Sequence, residues 1–115
     1  MQIMDFETIG TEELKAKLDR GDLFKLVMAF DGWRFEAAHI PGSVSVGSPG
    51  AVAGVLSLED EIVVYCTNED CMASQVLYRA LKQAGYTKVR RYSDGIVGWE
   101  EAGYPLEGNQ VAGRG

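Results

Sequence analysis

Four β-forming residues in succession, Ile62-Val63-Val64-Tyr65, constrain this chain more than any other feature. They show no polar alternation, so both faces of the strand they form must be covered, as in the middle of a parallel sheet. The run ends at Cys66 and passes through Thr67-Asn68-Glu69-Asp70-Cys71 into an amphipathic segment. There Ala73, Val76, Leu77, Ala80, Leu81 and Ala84 recur at helical spacing, Ser74, Gln75, Arg79, Lys82 and Gln83 take the opposite face, and Gly85 supplies the stop. A covered strand feeding directly into a helix is one half of a βαβ unit.

The rest of the chain repeats the alternation. Thr11-Glu12-Glu13 reads as a hydroxyl-capped helix start, Leu14 and Leu18 give its apolar stripe, and Gly21 ends it. Leu23–Met28 and Val44–Val46 read as strands, separated by the Ile40-Pro41-Gly42 turn. Ala51–Leu58 reads as a short helix, Val89–Tyr92 as a strand, and Ile96–Ala102 as a helix closed by Gly103 and Pro105. The expected fold is α/β, with a mostly parallel central sheet flanked by helices. One domain over 1–106 and a flexible tail over 107–115 account for all 115 residues.

Composition excludes several classes. A formal charge of −6, from 11 Lys+Arg against 17 Asp+Glu, argues against a nucleic-acid partner. No apolar run reaches the ~20 residues that span a bilayer, so no membrane partner is expected. Met1–Gly10 lacks the pattern of a secretory signal, and a cytoplasmic location is expected. A structural disulfide framework is therefore not expected of the two cysteines. Two Cys and one His fall short of a four-ligand zinc site, and C-x4-C is not the C-x2-C of zinc ribbons. A reactive thiol, a redox pair and two ordinary buried thiols remain open.

In open parallel sheets, sites form beyond the carboxyl ends of the strands. The turn from Cys66 to Cys71 occupies that place. A turn there can curl its backbone N–H groups inward, with the amino end of a helix behind them. Such a cradle would stabilise a Cys66 thiolate and any anion attached to its sulfur. The alternative is a small apolar residue at the end of a buried strand.

Four segments together resemble the single-domain rhodanese family. Ala38-His39-Ile40-Pro41-Gly42-Ser43 is similar to its G-H-I-P-G-A turn, and Val63-Val64-Tyr65-Cys66 to the strand that ends at its active-site cysteine. Asp94-Gly95-Ile96-Val97-Gly98-Trp99 resembles G-G-I-x-x-W, and Gly103-Tyr104-Pro105 the terminal G-x-P. The resemblance covers Phe6 to Leu106. It implies a rhodanese-like three-layer domain and a sulfurtransferase in which Cys66 is the nucleophile and persulfide carrier. The backbone of Thr67, Asn68, Glu69, Asp70 and Cys71 would form the anion cradle. A sulfane-sulfur donor and a thiol or protein acceptor are the implied partners, with no metal or organic cofactor.

The chain departs from the family in two places. Met28 and Phe30 stand where many members carry an Asp-x-Arg pair. The loop holds Asn68-Glu69-Asp70 and ends in Cys71, where many members have Gly inside and a cationic donor last. Two carboxylates at the mouth disfavour thiosulfate; a persulfide donor suits the loop better, unless Glu69 and Asp70 turn outward as helix caps. Cys71 is a candidate resolving thiol, able to attack a Cys66 persulfide and release sulfide, or else it faces the core. His39 reads as an organiser of backbone hydrogen bonds rather than a general base, and Tyr65, Trp33 and Trp99 as core or rim. Lys88, Arg90 and Arg91 read as a solvated edge. A catalytically inactive binding or redox-sensing module of the same fold is the competing function. A phosphatase or arsenate reductase would need a terminal Arg where Met72 stands.

Overall fold

Strands β1 (Lys25–Met28), β2 (Val44–Ser45), β3 (Ile62–Tyr65) and β4 (Val89–Tyr92) form one parallel sheet in the order β2-β1-β3-β4. These coordinates are a computed structural model, which describes residues 7–29, 36–45, 56–67 and 72–108. Helices α1 (Thr11–Arg20), α2 (Met72–Gln83) and α3 (Gly95–Glu101) complete the described elements. The register aligns Met28, Tyr65 and Tyr92 at the carboxyl end of the three longer strands.

All four residues of β3 are fully buried, as an unbroken β-forming run at the sheet centre requires. Side chains alternate across the sheet. Ile62 and Val64 join Val27 and Val89 against Leu77, Tyr78 and Leu81 of α2. Val63 and Tyr65 join Leu26, Met28 and Tyr92 against Leu14 of α1, Ile40 and Trp99 of α3. The result is a sheet between two apolar layers, each buried Val, Leu or Ile contributing ~1.5–3 kcal/mol relative to exposure. No helix among the described residues is long and apolar enough to cross a membrane.

The structure corrects four local expectations. The buried face of α2 is Ser74, Leu77, Tyr78 and Leu81, while Val76 is half exposed. The helix is thus rotated from the stripe that hydrophobicity alone selects. The cause is Arg91, itself buried, whose Nε donates to Ser74 Oγ at 2.9 Å. The basic run is a solvated edge only in part: Lys88 is exposed, but Arg91 is interior, Arg90 pairs with Glu13 at 3.0 Å, and Glu7–Ile9 runs parallel alongside β4 through the Thr8–Arg91 bridge. Gly10, not Thr11, caps α1, because the Thr11 hydroxyl is engaged with Tyr92 and Asp94. Finally, Leu56–Leu58 is not helical; the other part of that expected helix, residues 51–55, lies outside the described residues.

Candidate active site

The carboxyl end of β3 is built from below by Tyr65. Its hydroxyl accepts the Ile40 N–H at 3.0 Å and donates to Ser43 Oγ at 2.8 Å, while Ser43 Oγ–H donates to the Ile40 carbonyl at 2.7 Å. Burial pushes the Tyr65 phenol up to about 12, against the lowering effect of its bonds with Ser43 and Ile40. It therefore stays protonated and keeps the Ile40–Ser43 turn tied to the residue before Cys66.

Cys66 is buried, 1% exposed, and disulfide-bonded. Its carbonyl accepts the Ile96 N–H at 3.1 Å, and the Thr67 carbonyl accepts the Val97 N–H at 2.9 Å. The first turn of α3 therefore holds the start of the loop. In a planar trans peptide the N–H points opposite to the C=O. The Thr67 N–H, in the peptide whose carbonyl is tied to α3, is thus directed away from that helix. Gly95 permits the approach: a Cβ there would sit 2.6 Å from the Cys66 carbonyl oxygen and 2.7 Å from the Thr67 carbonyl. Its φ of +64° is also a left-handed conformation that suits glycine.

The turn before α3 is anchored on its other side. The Tyr92 hydroxyl and Thr11 Oγ1 lie 2.6 Å apart, and Thr11 Oγ1 donates to Asp94 Oδ2 at 3.1 Å, so Tyr92 is the donor to Thr11. Partial burial first, then the charges of Asp94 and Glu12, raise the Tyr92 phenol, opposed by its bond to Thr11. Trp99 locks the helix from within by donating Nε1–H to the Pro105 carbonyl at 2.8 Å and packing edge-on to Tyr92 and Tyr104.

The fold has counterparts among known proteins. The family model described as "Rhodanese-like domain" matches residues 10–102. The chain belongs to the rhodanese-like domain family. Among solved structures, a protein from Bacillus halodurans superposes with a TM-score of 0.81 at 21% identity, covering 90% of this chain and 78% of that one. The rhodanese-like domain of an Anabaena protein gives 0.80 at 22% identity, over 96% and 84%. A thiosulfate sulfurtransferase from Pseudomonas aeruginosa gives 0.73 at 23% identity, over 92% of this chain and 21% of that one. At such identities these likenesses concern the fold. A curated relative, an HTH-type transcriptional regulator of Mycobacterium tuberculosis, is 27% identical over 111 residues, 95% of this chain. The chain spans 48% of that relative's length. Family membership supports sulfurtransferase function at the level of the family.

Within the rhodanese-like domain, the structure brings Cys66 and Thr67 to the predicted place at the end of the central strand. Asn68, Glu69, Asp70 and Cys71 lie outside the described residues, as do Phe30 and Trp33. His39 pairs its backbone with Glu107 in an antiparallel bridge, 2.8 and 2.9 Å, with His39 Nε2 3.4 Å from Glu107 Oε1. Glu107, read from sequence as the first tail residue, is thus tied to the Ala38–Ser43 turn. Met28, in place of the family acid, is buried in the core. Sequence reasoning missed the part Gly95 plays toward Cys66. The Asp94-Gly95 dipeptide was a legible turn signal, but nothing local says which carbonyls the turn meets.

Proposed function

We propose that this rhodanese-like domain is a sulfurtransferase that carries sulfane sulfur as a persulfide on Cys66 and passes it to a thiol or protein acceptor, with Cys71 as resolving thiol. The observation that supports it most is the placement of Cys66 at the carboxyl end of the central parallel strand, its carbonyl drawn off by α3. A carbonyl whose oxygen is taken up by an N–H repels a nearby thiolate less. Backbone amides left facing it would lower the thiol's pKa.

A disulfide-bonded Cys66 is not a nucleophile, so the cycle begins with reduction. Of the two cysteines in the sequence, Cys71 is the partner this reading assigns. Two low-molecular-weight thiols take the pair to the dithiol and leave as their own disulfide. The Cys66 thiolate then attacks the outer sulfur of a persulfide donor. The donor's S–S bond breaks, its thiolate leaves, and Cys66 holds the sulfur and its proton. An acceptor thiolate can attack the outer sulfur, regenerating Cys66. Alternatively Cys71 attacks the inner sulfur, forming the disulfide and expelling hydrosulfide.

Intact mass of reduced protein after donor treatment tests the reading. Cys71→Ser is expected to gain one sulfur atom, Cys66→Ser none, and the unaltered chain to return to the disulfide with release of sulfide. No added sulfur on Cys71→Ser protein across several donors overturns the assignment.

A redox-sensing or binding module is the second reading. It is favoured by the relative from Mycobacterium tuberculosis, whose name is that of a transcriptional regulator and of which the matching segment is about half. This reading expects a reduced Cys66 thiol titrating near the free-thiol value of ~8.5 and no sulfur uptake.

A further inference from the structure

Resting on Cys66 as the sulfur carrier, we propose that Gly95 is a positioning residue for it, the point through which α3 orients the peptides that follow Cys66 and Thr67. Twenty-nine positions separate Gly95 from Cys66 in sequence. Yet the absence of a side chain at Gly95 is what lets two consecutive α3 amides reach the loop: Ile96 N–H to the Cys66 carbonyl at 3.1 Å and Val97 N–H to the Thr67 carbonyl at 2.9 Å. Any Cβ at 95 would stand 2.6–2.7 Å from those carbonyl groups. All three close contacts are backbone atoms, so no side chain can swing aside; the loop itself would have to move.

The direction of that movement matters chemically. The Cys66 carbonyl held by α3 fixes the plane of its peptide, and with it the opposite heading of the Thr67 N–H in the same plane. Released, that peptide can rotate and turn its carbonyl oxygen toward the sulfur. Negative charge on a thiolate or persulfide is stabilised by the first arrangement and opposed by the second. The tether also has a fixed footing. Thr11 of α1 binds Asp94 at 3.1 Å, and Gly98 leaves the space that Asp94 fills, since a Cβ at 98 would lie 2.3 Å from Asp94 Cβ. The Asp94–Gly95–Ile96 turn is thus held against α1 on one side and against the Cys66 peptide on the other.

A second glycine separates this role from ordinary backbone strain. Gly21 ends α1 at φ +74°, close to the +64° of Gly95, but a Cβ at Gly21 meets nothing within 4 Å. Both Gly→Ala changes carry the left-handed cost; only Gly95→Ala touches the loop.

The test compares the two in a Cys71→Ser background, with Cys66 reduced, by alkylation rate against pH and by thermal melting. Gly95→Ala is expected to move the Cys66 midpoint upward by about one unit, toward the free-thiol value, which slows alkylation ~10-fold at a pH below both midpoints. Gly21→Ala is expected to lower the melting temperature and leave the midpoint in place. An unchanged midpoint in Gly95→Ala, or an equal shift in Gly21→Ala, overturns the proposal. Amide hydrogen exchange on the unaltered chain decides the matter should Gly95→Ala not fold. Protection of Ile96 and Val97 N–H supports the tether, and exchange at the free-peptide rate overturns it. Sulfur uptake by Cys71→Ser protein that keeps Gly95 is read separately. Its absence refutes the sulfurtransferase reading, and alkylation and exchange still report on the tether.

Discussion

The Tyr65 hydroxyl donates to Ser43 Oγ at 2.8 Å across 22 positions of sequence. This bond ties together two of the segments that resemble the rhodanese family, the Ala38–Ser43 turn and the strand that delivers Cys66. Both groups are buried, and the third member, the Ile40 N–H, has the same phenol as its acceptor.

Tyr65→Phe should therefore destabilise the fold by ~1–3 kcal/mol, the cost of leaving the buried Ile40 N–H without its acceptor. The effect has a pH signature. The folded phenol titrates at about 12 and an unfolded one near 10, so the unfolded chain releases this proton first as pH rises. The contribution of Tyr65 is full below pH ~10 and is lost through about 12. Denaturant unfolding across that range should show the gap between the unaltered chain and Tyr65→Phe closing.

Ser74→Ala should cost ~1.5–3 kcal/mol, because the Ser74 hydroxyl is an acceptor for a charged and buried guanidinium. A double-mutant cycle with Arg91→Met measures the coupling, expected at ~0.5–3 kcal/mol. Additive single effects would show that the contact contributes nothing specific.

Asp60 closes the turn that leads into β3. Its Oδ2 accepts the Ser57 N–H at 2.9 Å and Lys25 Nζ at 3.1 Å, and these two bonds, the backbone one first, hold its carboxyl below the ordinary value. A lowered folded-state pKa stabilises above the unfolded value, and the contribution disappears as pH falls through the folded one. Asp60→Asn should therefore lower the urea midpoint at pH 7, and the difference should shrink once the solution falls below the usual carboxylate pKa of ~3.9.

Neutralising the loop with Glu69→Gln and Asp70→Asn should raise the second-order rate with thiosulfate, on the order of 10-fold at low ionic strength. The advantage should fade with added salt, since screening weakens the repulsion in the unaltered chain. A rate indifferent to both changes would mean that these carboxylates do not face the donor. Persulfide donors of lower charge should respond less.

Some of this protein is determined by sequence alone. The unbroken run Ile62–Tyr65 reads as a strand covered on both faces, and its junction with a helix put Cys66 at the end of the sheet where sites form. Both inferences rest on the local period of side chains and on chain direction, which neighbours in space do not alter. The stripe along α2 shows the limit. Hydrophobicity selected Ala73, Val76 and Ala80 with Leu77 and Leu81, but the buried face takes in Ser74 and Tyr78 because a buried Arg91 needs an acceptor there. Thr11 likewise reads as a cap until Tyr92 and Asp94 claim its hydroxyl. Only the tertiary structure decided these points, and with them the contact of Gly95 with the Cys66 carbonyl. Hydrogen-bond partners and close approaches between distant segments depend on which groups the fold brings within ~3 Å, and no local pattern encodes that distance.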